Sequence, residues 1–230
     1  MDRSRRAGFS ALIVIALVAA FGAWSSAEVQ AGVVVWPPST LVISELQTGG
    51  TSASDEFVEI ANQGPDPIDL TGFEVVYATS SGSTVTRKAT WVSSLVLEPG
   101  RRILLANASG LFAAVADSTY SGGFAATGGA LGLRVVGGEI LDSVGWGDAS
   151  SGFVEGVAAA APPAGSSLER APGGSLGNAT DTNDNSVDWF VQSAPSPQGL
   201  GAPPVPDPGP LPTPAPTPTP TVAPIPTPTP

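Results

Sequence analysis

The sequence predicts an all-β fold arranged as an antiparallel β-sandwich with one short helix. Gly and Pro number 28 and 24 in a chain of 230 residues, against only 9 Lys and Arg together. Such a composition suits short strands and many turns better than long amphipathic helices. β-Prone runs with partial period-two alternation recur along the chain. Turn-forming clusters separate them, as in the stretch 55–75, DEFVEIANQGPDPIDLTGFEV, where two apolar runs flank Gly64, Pro65, Pro67 and Gly72. A helix is excluded there by the prolines.

Residues 1–31 have the layout of a secretory signal peptide: a basic MDRSRR, an apolar core through Ala11–Phe21, and small residues before the cut. Cleavage is expected after Ala31, with Ala27 as a second choice. Left uncleaved, the uncharged run Ala7–Ala27 is about long enough to act as an N-terminal membrane anchor. The domain is expected over residues 38–200, about 160 residues and enough for one core. The remainder, 201–230, is a Pro/Thr-rich tail expected to be disordered, with a polyproline II tendency and a reach of roughly 80 Å if extended.

Within the domain the expected strands are Leu41–Leu46, Glu56–Asn62, Gly72–Thr79 and Thr84–Val92. A Pro99-Gly100 turn separates Leu95–Leu97 from Arg102–Asn107. SGLFAAVADSTY, Ser109 to Tyr120, places Leu111, Phe112 and Val115 at helical spacing with Ser109 as a cap, so the one short helix or helical turn is expected here with Phe112 plugging the core. Strands resume at Ala130–Val136 and Glu139–Trp146 around Gly137-Gly138. Ser166–Ala171 reads as an edge strand and Ser186–Gln192 as the last strand. Trp91, Trp146 and Trp189 read as core or half-buried plugs.

Absent side chains restrict the chemistry. With neither Cys nor His, disulfides, thiolate nucleophiles, Cys or His metal sites and His-dependent triads are all excluded. Catalysis would rest on carboxylates, Lys or Arg. The formal net charge of −11 disfavours nucleic acid and anionic lipid as partners. Two candidate sites remain. Asp181, Asn183, Asn185 and Asp188 present oxygen ligands suited to calcium, although the glycine and distal glutamate of an EF-hand are missing. Otherwise the stretch is a loop of Asx-turns. Glu45, Asp55, Glu56 and Glu59 offer carboxylates for a hydrolase, but their place on strands fits a solvated sheet face as well.

An ordered set of short motifs then appears. It comprises Glu45 in ISEL, the block Asp55, Glu56, Phe57, Glu59 and Asn62, Leu70 and Gly72 in DLTGF, Pro99-Gly100, Asp142 and Trp146 in LDSVGW, Glu169-Arg170 in SLER, and Asp188-Trp189. Spread over about residues 40–200, the set resembles the lamin-tail domain family in its divergent, exported bacterial form. The resemblance implies an immunoglobulin-like sandwich used for tethering or scaffolding, with no catalytic residues of its own and no cofactor. The expected function is a secreted or cell-envelope-associated, non-catalytic binding module. The alternatives are a calcium-stabilised adhesion module and a divergent carboxylate-dependent hydrolase. The expected partner is a protein or other envelope component, with membrane involved only if the N-terminal segment stays uncleaved.

Overall fold

The structure, a computed structural model, describes residues 36–205. The expected signal peptide or anchor and residues 206–230 of the expected tail lie outside that range. In chain order the strands are β1 (Leu41–Thr48), β2 (Glu56–Asn62), β3 (Ile68–Asp69), β4 (Phe73–Thr79), β5 (Val85–Thr90) and β6 (Val96–Leu97). They continue with β7 (Arg102–Asn107), β8 (Ser118–Tyr120), β9 (Gly128–Val135), β10 (Ile140–Gly147), β11 (Ser167–Arg170) and β12 (Trp189–Gln192). A six-stranded sheet runs β12-β11-β1-β2-β7-β8 and a four-stranded sheet runs β10-β9-β4-β5, with β3 and β6 as a small separate pair. Every strand pairing is antiparallel except β7 with β8. The architecture is an immunoglobulin-like β-sandwich.

Alternation along the strands builds the core between the sheets. Leu41, Ile43 and Leu46 of β1, Val58 and Ile60 of β2, and Ile103 and Leu105 of β7 join one buried cluster with Tyr77, Leu131, Leu133, Val144 and Trp146 from the other sheet. Burying each aliphatic side chain contributes about 1.5–3 kcal/mol. The pairing of β1 with β2 shifts register between Ile43 and Glu45. That bulge returns Leu46 to the core face with Leu41 and Ile43, and it leaves Glu45 on the outer face beside its cross-strand partner Glu59. At the far edge Lys88 of β5 extends over the rings of Tyr77, Tyr120 and Phe124 and donates to the Gly122 carbonyl at 2.9 Å, tying the two sheets together.

Four expectations are corrected. The short helix or helical turn expected within Ser109–Tyr120 is a 3-10 turn, Leu111–Ala114, but it is entered from Gly110 without the expected Ser109 cap, Phe112 lies outside the core between the sheets, and β8 follows. Leu111 and Val115 stay exposed. Only Phe112 and Ala116 find apolar partners, against Phe57, Leu104 and Ala106 on the outer face of the sheet, so the segment has too narrow an apolar stripe to sustain a longer helix. The SLER strand is not an edge: β11 lies between β1 and β12. The expected last strand begins as a single helical turn, α1 (Asn185–Asp188), because Asp184 accepts a hydrogen bond from the Ser186 N–H as an N-cap. Finally, the packed chain runs past residue 200, where the domain is expected to end. The Val205 N–H donates to the Gly100 carbonyl at 2.9 Å, and Val205 is buried.

Candidate functional site

The acids expected on a solvated sheet face are buried. Glu45, Asp55, Glu56 and Glu59 are all nearly inaccessible, because loops and the C-terminal segment cover the outer face of the six-stranded sheet. Asp55 accepts from the N–H groups of Ser52 and Leu111, holding the 3-10 turn against β2. Glu56 accepts from Asn107 Nδ2 at 2.9 Å and from the Phe124 N–H at 2.6 Å. Both carboxylates thereby serve the fold. Asn62 does likewise, donating to the carbonyls of Asp66 and Leu97 while accepting from the Gly64 N–H.

Glu45 and Glu59 are brought together rather than set apart. They are cross-strand neighbours, and Glu169 faces Glu45 from β11. With Arg102 these three carboxylates line a cavity of about 90 Å³, closed by Gln192, Ser196 and Gln198. Ser167 Oγ donates to Glu45, Ser44 Oγ donates to Glu59 at 2.7 Å, and the Gln198 N–H donates to the other Glu59 oxygen at 2.6 Å. Arg102 Nε lies 2.7 Å from Glu59 and its Nη2 donates to Asn178 Oδ1 at 2.6 Å, while Nη1 has no protein partner. Burial pushes the Glu45 carboxyl up to about 7 despite the Ser167 hydrogen bond, and the charges of Glu59 and Glu169 add to the rise. Burial also raises Glu59, against the pull of Arg102.

A raised carboxyl beside an ion-paired one is the acid-base pairing that glycoside hydrolysis uses. Here the space is far below the roughly 300–1,000 Å³ of small-molecule sites, and the carboxylate oxygens already accept internal hydrogen bonds. The arrangement fits a hydrated polar seam better than a substrate cleft.

A second acidic group lies across the sandwich. Arg170 spans from β11 to Asp142 on β10, both completely buried. Its other donors reach the carbonyls of Ile43 at 2.9 Å and Thr180 at 3.0 Å, and its guanidinium stacks 4.8 Å from the Trp189 ring. Carboxylate oxygens of Glu155, Asp181 and Asp188 converge within 4.8 Å of one another. Burial pushes Asp142 up to about 6 with Arg170 opposing, and burial together with the Asp142 charge pushes Glu155 up to about 8.

Of the residues suggested for calcium, the structure brings together Asp181 and Asp188. It does not bring Asn183 and Asn185 to them as ligands. Asn183 Oδ1 accepts from the Trp36 N–H at 2.6 Å, and Asn185 Oδ1 accepts from the N–H groups of Gly145 and Glu155. Asp188 accepts from Thr182 through both oxygens. Three carboxylates supply part of the six to eight oxygens that calcium takes.

Glu155, Arg102 and Asp117, which accepts from the N–H groups of Leu104 and Leu200, went unnoticed in the sequence. Glu155 is a lone acid in an Ala-rich loop with no pattern around it. Arg102 did carry a signal: it alternates with Leu104 and Ala106, whose face of β7 meets that of Phe57 and Glu59. Among the other motif residues, Leu70 and Trp146 are core, and Gly72 turns at a φ of 85°.

Residues 36–148 match the family model of the Lamin Tail Domain. These residues form a lamin tail domain. The match covers Glu45, Glu59, Arg102 and Asp142; β11, α1, β12 and the segment after it lie beyond it. Among solved structures, 11 chains match. One, a DUF4876 family protein from Bacteroides thetaiotaomicron, shares the fold at a TM-score of 0.50 and 14% identity, over 70% of this chain and 72% of that one. No curated protein matches the sequence. Lamin tail domains are in general non-enzymatic binding modules of immunoglobulin-like fold.

Proposed function

We propose that this lamin tail domain is an exported, non-catalytic module that binds, tethers or scaffolds other components at the cell envelope or outside the cell. The observation that supports it most is the engagement of the carboxylates: Glu45, Asp55, Glu56 and Glu59 each accept hydrogen bonds from inside the fold. Acids engaged in this way hold loops to strands. The basic, apolar and small-residue layout of residues 1–31 supports export, and the Pro/Thr tail supports a spacer role.

Two measurements test the proposal together. Fractionation of cells making the full chain, with N-terminal sequencing of the product, is expected to place it in the envelope or medium with residues 1–31 removed. Assays of the purified protein on model glycosides and phosphate esters are expected to show no turnover. Cytoplasmic retention would defeat the exported reading. Turnover lost in Glu45→Gln would defeat the non-catalytic one.

A further inference from the structure

After β12 the chain forms a strap, residues 193–205, that contains no helix or strand and crosses the outer face of the six-stranded sheet. Its hold on the domain follows a rhythm of two. Ser196 lines the small cavity together with Glu45. The Gln198 N–H donates to Glu59 at 2.6 Å, and the Leu200 N–H donates to Asp117 at 2.9 Å. Pro195 and Pro197, which have no N–H, alternate with Ser196 and Gln198. Arg101 Nη1 donates to the carbonyls of Leu200 and Ala202, and the Val205 N–H closes the end on Gly100.

The face also selects by shape. A Cβ on Gly199 would stand 2.6 Å from Asp117 Oδ2, and that oxygen is fixed by the Leu104 N–H at 2.9 Å. Beside the strap runs an open groove of about 470 Å³ bordered by Gly174, Ser175, Gln198 and Pro203. Beneath it, buried Arg102 Nη1 faces the small cavity without a partner.

We propose that this face is a binding groove for an extended, proline-interrupted peptide, filled in cis by residues 194–205, and that it accepts the same segment from a second copy of the chain. Row-wise carboxylate acceptors and an Arg donor recognise backbone, while the tight approach at residue 199 demands glycine. Because the strap has no β-ladder of its own, it can leave without dismantling either sheet. Exchange between copies preserves every contact, which is what makes segment swapping a low-cost route to association. The inference names a partner for the tethering module proposed above and rests on that reading. Its test uses only purified protein, so it can fail while the envelope reading stands.

The full chain carrying Gln198→Pro and Leu200→Pro lacks two of the anchoring N–H groups. A labelled synthetic peptide of residues 194–205 is expected to bind this variant in the micromolar range, and to bind the wild-type chain at least about tenfold more weakly because the cis segment competes. The Gly199→Val peptide is expected to bind the variant about tenfold more weakly than the native peptide. A folded variant that ignores the native peptide, or takes both peptides equally, overturns the proposal.

Should the variant fail to fold, hydrogen exchange on the wild-type chain decides instead. The Gln198 and Leu200 amides are expected to exchange through local opening, faster than those of β1 and β2. Exchange of these amides only on global unfolding overturns the proposal. Sedimentation of the wild-type chain after mild denaturant and return to buffer is expected to show a dimer that Gly199→Val abolishes; a dimer unaffected by that substitution overturns exchange between copies.

Discussion

Two buried arginines, each among several carboxylates, sit on opposite faces of the same sheet and are treated differently. Arg170 is enclosed between the sheets. Its Nε, Nη1 and Nη2 all donate to protein acceptors, and the Trp189 ring covers its flat side. Arg102 lies on the outer face under the strap, with Nη1 unpartnered beside a cavity of about 90 Å³. The walls explain the difference. Strands hold Ile43, Asp142 and Trp189 around Arg170, with only the Thr180 carbonyl supplied from a loop, whereas one wall around Arg102 is a segment with no ladder of its own.

The largest test of that comparison is removal of each guanidinium. Arg170→Met strands Asp142 in the interior and is expected to cost about 3–5 kcal/mol in urea denaturation. Arg102→Met is expected to cost about 1–3 kcal/mol, since the strap can shift and water can enter. Equal losses would show that the strap encloses charge as rigidly as the sheets do.

pH gives the next effect. The folded carboxyl of Glu45, at about 7 against an ordinary 4.5, binds a proton that the unfolded chain releases. Its stabilising contribution is therefore present below pH 4.5 and is lost as pH rises toward 7, a fall of about 3 kcal/mol. Asp142 acts in the same direction up to about 6, and Glu155 extends the window to about 8. Chemical denaturation from pH 4.5 to 8.5 is expected to show declining stability. Glu45→Gln should flatten the lower part of the decline and Glu155→Gln the upper part. A curve that rises through this window would contradict both burials.

These environments also show how far the sequence could be read. Glu56–Asn62 and Arg102–Asn107 were legible with correct ends because Gly and Pro punctuate them and their apolar residues alternate. The last strand was not, since Asp184 makes an Asx cap that turns the chain helical before Trp189. The burial of Glu45 and Glu59 was invisible for a different reason. Alternation assigns a residue to a face of a sheet, but it cannot say that a segment more than a hundred residues later lies over that face. Asp181 and Asp188 could be paired from local spacing. Glu155 joins them only through the fold, and Asn183 and Asn185 are drawn away by backbone donors that local spacing does not reveal.

A smaller effect is expected at the strap's far end. Gly100 has a φ of 71°, and a Cβ there would stand 2.3 Å from the Val205 carbonyl oxygen. Gly100→Ala combines left-handed strain with that clash and is expected to cost about 1–2 kcal/mol. Hydrogen exchange should localise the change to Val205 and Leu200. If protection is lost equally in β1 and β2, the strap and the sheet form one cooperative unit.

The smallest effect is expected at the start of α1, the turn that delivers Asp188 to the Arg170 side. Asp184 Oδ1 accepts from the Ser186 N–H at 3.0 Å and from Ser186 Oγ at 2.7 Å. Its carboxyl is held low mainly by the Ser186 hydroxyl. Asp184→Ala removes the cap and is expected to cost about 1 kcal/mol, whereas Asp184→Asn, which keeps the acceptor, should cost less. Because α1 is a single turn fixed at its other end by Asp188 and by Asn185 between β10 and Glu155, loss of the cap should leave the Arg170–Asp142 pair in place. The pH dependence assigned to Asp142 should then persist in Asp184→Ala, and its disappearance would mean that the enclosed arginine depends on this turn after all.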